Sequence, residues 1–257
     1  MASKQVTDRE KSARAVAAAA ETHASQIAAG FDRALSVHVR PGETLPDTGL
    51  LARLIGRKIA ADNAALVAAD RAHEQELSDD DGPREDRDAA AAKVRSVLVD
   101  LRGAVESSYG SRGLTLLGLG DAIAVDPSVL ATAGVSAQKA LNDAKIELPK
   151  PKRAGMMVNR AAFALDLTAE LPALQKALAK VATEDREKEG TQRVKNEAMA
   201  KNDASFTQGA DYLAASCQVA GMSDIAAKVR PSGRRPGRVE SEDDAGAPAA
   251  EPAGGGG

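Results

Sequence analysis

Three histidines, His23, His38 and His73, are the first residues to test for metal or acid–base chemistry. A helical metal site needs imidazoles and carboxylates three or four residues apart on one face. No HExxH run and no Glu-x-x-His pair occurs in the chain. Glu74 is adjacent to His73 and Glu21 lies two residues before His23, so on a helix each carboxylate points away from its histidine. His23 and His73 could face each other if the first two helices pair antiparallel, but the inward carboxylates are wanting. The expectation is solvated or capping histidines and no metal.

Phosphate chemistry fares no better. Gly118-Leu119-Gly120-Asp121-Ala122-Ile123 begins like a dinucleotide fingerprint but lacks the third glycine and follows no strand–turn–helix pattern. No GxxxxGK[ST] loop is present. The glycines at 110, 113, 118 and 120 read instead as a loop that turns tightly and packs against helices. Cys217 has no histidine after it in the chain and sits on an apolar helical face, which suits a small buried hydrophobe better than a nucleophile. No G-x-S-x-G elbow occurs. The reading therefore names no catalytic, cofactor-binding or metal-ligating residue, no cofactor, and no enzyme activity.

One charged constellation remains. Lys228, Arg230, Arg234, Arg235 and Arg238 stand in a Pro/Gly-rich context that could grip an anion or a nucleic-acid backbone, with salt-sensitive binding. No aromatic side chain is interleaved for base stacking, and the acidic run Glu240 to Asp244 follows at once and can neutralise the cluster in cis.

The elements that must hold these residues are helical. Hydrophobic residues make up 43% of the 257, yet alanine supplies much of that share and aromatics only 2%. Sheets favour Val, Ile, Tyr, Phe and Trp; helices favour Ala, Leu, Glu, Lys and Arg, and the chain is rich in the second set. Basic and acidic residues nearly balance, 34 against 37, so no global attraction to nucleic acid or anionic lipid exists. A single cysteine forms no internal disulfide. No leader-like apolar core and no bilayer-length apolar run is found, so the expected compartment is the cytoplasm and no membrane partner is expected.

Periodicity places a first helix over 7–37, capped by Thr7 or Asp8, with Val16, Ala20, Ile27, Phe31 and Leu35 on one face. Arg40-Pro41-Gly42 ends it. A second helix opens at Asp47 or Thr48, with Leu51, Leu54, Ile55, Ile59, Leu66 and Ala69 inward and Asp62 at the wet edge of that stripe. A loop over 78–83 turns the chain into a third helix whose seam is Val94, Leu98, Leu101, Val105 and Tyr109. An apolar, Gly-rich insert with short helices covers 110–146, and Asp126-Pro127-Ser128 starts one of these. Pro149 and Pro151 make 147–166 an extended connector between subdomains. Thr168 then caps a long final helix with Pro172 in its tolerant early turns, continuous through Gly190.

The expected fold is all-α: an antiparallel helical bundle with long helices, a loop-rich apolar insert and a disordered C-terminal tail. Its parts are the bundle over 1–146, the connector over 147–166, a helical segment over 167–229 packing back on the bundle in coiled-coil style, and a tail over 230–257. The expected function is a non-enzymatic scaffold, assembly or adaptor protein that binds another protein, or a second copy of itself, through helix faces. Two alternatives stand beside it: a ligand-binding or enzymatic bundle with its site near 110–125, and a nucleic-acid accessory protein using the arginine cluster.

Overall fold

Alanine-rich amphipathic segments bury their stripes by packing helix on helix, and the computed structural model, which describes residues 3–79 and 81–240, is all-α. In chain order the helices are α1 (Lys4–Leu35), α2 (Thr48–Asp79), α3 (Asp81–Tyr109), α4 (Ser111–Leu116), α5 (Pro127–Asn142), α6 (Arg160–Val219) and α7 (Ser223–Val229). The β pairing among the described residues is the single antiparallel bridge Pro231–Val239. No helix among them is long and apolar enough to cross a membrane. The chain divides into two compact units, Met1–Gln75 with Gly190–Gly257, and Glu76–Glu189.

In the first unit α1 and α2 run antiparallel. Gly49 lies against Ala24 and Ala28, and Gly56 against Ala17 and Ala20, so residue numbers fall along α1 as they rise along α2. The approach is close: a Cβ at Gly56 would lie 2.7 Å from the Ala20 Cβ. The third rod is the C-terminal half of α6, antiparallel to α2 through Asp70–Lys195, Asn63–Asn202 and Ile59–Gly209. The sequence reading gave that position to the third helix; α3 belongs instead to the second unit. Val16, Ile27, Ile59, Phe206, Leu213 and Cys217 fill the centre.

In the second unit the seam of α3 behaves as its spacing implies: Val94, Leu98, Leu101 and Val105 are fully buried and Tyr109 nearly so. Leu130 and Leu141 of α5 and Leu167, Leu171 and Leu174 of α6 close the same core. Asp126 caps α5, its Oδ1 accepting from the backbone N–H of Ser128 and Val129 at 2.9 Å each, with Pro127 as the first helical residue. From Pro127 the helix runs unbroken to Asn142.

Several boundaries differ from expectation for local reasons. α1 starts at Lys4 with Ser3 as its N-cap, ahead of Thr7 and Asp8. α2 and α3 reach to 79 and back to 81, so helix occupies most of the expected 78–83 loop. α6 begins at Arg160, inside the expected connector, because tertiary bonds replace the local signal. Asn159 accepts from Ala162 N–H, and the Arg160 guanidinium donates to the carbonyls of Ala140, Leu141, Asp143 and Ile146, which the end of α5 leaves open. Thr168 is thus interior, not a cap, and Pro172 stands well inside the helix rather than in its early turns. α6 is continuous through Gly190, as expected. The ends of α4 and α6 share one device. Gly118 (φ +69°) and Gly221 (φ +76°) take the left-handed conformation, letting the next N–H, of Leu119 and Met222, bond back to Leu114 and Cys217.

The tail expected over 230–257 falls into two parts. Residues 241–257 lie outside those described. Residues 230–240 form a turn-rich hairpin rather than a disordered strand of chain, closed by Ser232 N–H to Arg238 O and Glu240 N–H to Arg230 O, each 2.8 Å. Its docking is tertiary: Val239 N–H donates to Ser12 Oγ of α1, and Ser232 and Gly237 are buried. A stretch without apolar periodicity carries no sign of such docking.

Candidate functional site

α2 is the element with most to explain, because polar side chains stand among the apolar ones on its inward face and part of its outward face is leucine. Inside the first unit, Asp70 is completely buried. Its carboxylate pairs with Lys195 Nζ at 2.7 Å and accepts the backbone N–H of Ser3 at 2.9 Å. Burial pushes this carboxyl up, but the Lys195 ammonium and the Ser3 N–H outweigh burial and hold it below its ordinary range. Two turns earlier, Asp62 is 7% exposed and takes Lys58 at 2.6 Å and Lys201 at 3.0 Å. Burial again acts upward, and the two lysine hydrogen bonds bring the group down to about 2. Asp62 is therefore a buried, paired carboxylate and not the water-edge group its pattern suggested.

The ladder extends beyond these two carboxylates. Asn63 Nδ2 donates to Asn202 Oδ1 at 3.4 Å, and His73 Nδ1 meets Thr191 Oγ1 at 3.0 Å. Arg9 of α1 grips Asp203 of α6 with two bonds of 2.7 and 2.8 Å. The hairpin caps this pair: Gly237 (φ +73°) lies against Asp203 and Arg9, leaving no room for a side chain, and Arg238 pairs with Asp8 at 3.0 Å. His73 is thus buried, whereas His38 is exposed and His23 bonds Gln26 on its own helix at 2.7 Å. His23 and His73 do not face each other, since the α1–α2 register sets residues near Ala20 beside Gly56. With each carboxylate in the ladder paired to a cation, the ladder's chemistry is alignment: it fixes the lengthwise register of three alanine-faced rods.

The outward face of α2 is different. Leu50, Leu51 and Leu54 are 43%, 42% and 50% exposed, side by side on one helical face. The expected inward stripe therefore fails at Leu51 and Leu54; Ala52, Ile59 and Leu66 take the inward positions. Leu35 and Val37, at the end of α1 and in the following 3-10 turn, are exposed as well.

The residues singled out from the sequence are placed as follows. Lys228 is exposed on α7, Arg230 lies 4.0 Å from Glu240, and Arg238 is bound to Asp8. Arg234 and Arg235 donate their backbone N–H groups to Ser232 Oγ. At least two of the five cations are thus turned toward acids of their own unit, Glu240 among them as the composition implied. Cys217 is buried, and burial pushes its thiol up, away from thiolate. In the 110–125 stretch Leu114, Leu117 and Leu119 are buried in the second unit's core. An open groove of about 550 Å³ borders that stretch only at Val125, and is otherwise lined by Asp126 and Leu130 at the start of α5 and by Arg87 and Arg95 of α3.

Also in the second unit, the carboxylates of Glu76, Glu184 and Glu187 have oxygens within 4.8 Å of one another, the group among the described residues nearest to a metal-ligand set. It contains no imidazole or thiolate, and Glu187 is exposed. Sequence reasoning missed Asp70, Arg9, Asp203 and Arg160, whose partners lie far away in the chain. No protein-family model matches this chain, and neither a curated protein nor a solved structure does.

Proposed function

We propose that the protein is a helical scaffold or adaptor that binds protein through the outer face of α2. The observation that carries this reading is the contiguous exposure of Leu50, Leu51 and Leu54 on a helix whose opposite face is already satisfied. Single exposed leucines are ordinary, but three adjoining ones on a rigid helix form an apolar surface that a partner can cover. The polar ladder supports the same reading, since it holds that face on a rod of fixed register and leaves no unpaired charge to act on a substrate.

The test is a photo-crosslinking residue in place of Leu54 in the full chain, in the cells that express it. Adducts mapped by mass spectrometry to defined peptides of a protein, this one or another, are expected from position 54. Lys11, exposed on the charged side of α1, serves as the control position. No adduct at 54, or the same adducts from both positions, would overturn the reading.

A further inference from the structure

The chemistry flanking the leucines identifies the partner, and this step rests on the scaffold reading. Asp47, just ahead of α2, accepts the Leu50 backbone N–H at 2.8 Å with one carboxylate oxygen and leaves the other open, and Leu50, Leu51, Leu54, Arg57 and Lys58 continue the same exposed line along the helix. Acid lies on one side of the leucines and base on the other. Glu43, just ahead of the helix, is exposed and adds to the acidic end. A face of this kind complements itself when turned through two-fold symmetry, the commonest symmetry of protein pairs.

We infer that a second copy of this chain covers the stripe, the two α2 helices lying antiparallel across a two-fold axis near the level of Ala52 and Arg53. In that arrangement Leu51 of each copy meets Leu54 of the other. Asp47 of each copy lies beside Arg57 and Lys58 of the other. A parallel arrangement would set Asp47 on Asp47 and Lys58 on Lys58, and like charges facing one another oppose association. The basic side chains already have acids within their own chain, Arg57 with Glu21 at 3.2 Å and Lys58 with Asp62. Their side chains nevertheless remain 62% and 61% exposed, and each carries further N–H donors for a second carboxylate.

Sedimentation equilibrium on the full chain, over a roughly hundredfold concentration range, tests the pairing. A monomer–dimer equilibrium is expected, with Leu51→Glu/Leu54→Glu weakening it by at least about tenfold at unchanged helical circular dichroism. Under mild oxidation, a mixture of Asp47→Cys and Lys58→Cys chains should form a crossed disulfide that Lys58→Cys alone does not. A monomer at every concentration, a dimer indifferent to the double substitution, or ready Lys58→Cys self-pairing would each overturn the inference. The crosslinking at Leu54 separates the two proposals. Adducts to peptides of a different protein sink the second copy and leave the scaffold, whereas absence of any adduct removes both.

Discussion

Met1–Gln75 with Gly190–Gly257 packs its helices through alanine and glycine faces and threads Asp62, Asp70, Asn63, His73, Asn202 and the Arg9–Asp203 pair through its interior. Glu76–Glu189 packs through Val94, Leu98, Leu101, Leu130, Leu167, Leu171 and Leu174, and Ser108 is its buried polar residue among those described. The difference has a physical basis. Alanine faces let rods come close, but they bury little area per residue and slide past one another at small cost, so shape alone specifies register weakly. Paired charges restore it, because a slip of one turn would strand ions away from water. Leucine and valine ridges interdigitate and need no such device. One unit is aligned by polarity and the other by shape, and each mode fails under a different perturbation.

The harshest test is to strand the buried charge. Lys195→Met leaves Asp70 without its cation at zero exposure, and a loss of about 3–5 kcal/mol in urea unfolding is expected. Asp70→Leu combined with Lys195→Met should recover most of that loss, since the pair is replaced by apolar contact. If Lys195→Met is neutral, alignment by polarity is wrong for this unit. Next in size is the apolar counterpart. Leu174→Ala in the second unit removes a fully buried side chain and should cost about 2–5 kcal/mol by the same measurement, with little change in the amide protection of Val16 or Ile27.

Acid gives a smaller and more selective effect. Asp62 and Asp70 have folded-state pKa values below those of the unfolded chain, so their contribution is complete above about pH 4. For Asp62 it is lost as pH falls toward about 2, with an expected loss of about 1–2 kcal/mol once solvent screening of its two exposed lysines is allowed for. Hydrogen exchange between pH 4 and pH 2 should therefore show protection falling first in α1 at Val16 and later in α3 at Leu98; the reverse order would break the comparison. The least effect is expected at the hairpin. Arg238→Ala cuts a pair with Asp8 whose side chains are each 25% exposed and should cost about 0.5–1 kcal/mol, read as faster exchange at the Val239 N–H.

The apolar spacing of α3 was legible because 94, 98, 101, 105 and 109 differ by three or four, and all five residues are buried. The same rule applied to α2 put Leu51 and Leu54 inward, and there it failed. Spacing says which residues share a face, while which neighbour covers that face depends on other helices. Asp70 and His73 were invisible for a related reason. A polar residue at an inward position reads as an error in the pattern until its partner is known, and Lys195 and Thr191 lie more than a hundred residues away.

Composition and local spacing by themselves determined that the chain is helical, that its helices are long, that Asp126-Pro127 starts one of them and that α6 runs unbroken through Gly190. These are properties of a few neighbouring residues, settled by backbone propensity, capping and i,i+4 contacts. Tertiary structure alone decided that α6 supplies the third rod beside α1 and α2, that 230–240 docks on α1, and that three leucines of α2 face outward. Each of those outcomes depends on which distant segments meet and what their meeting removes from water, which no local window of sequence contains.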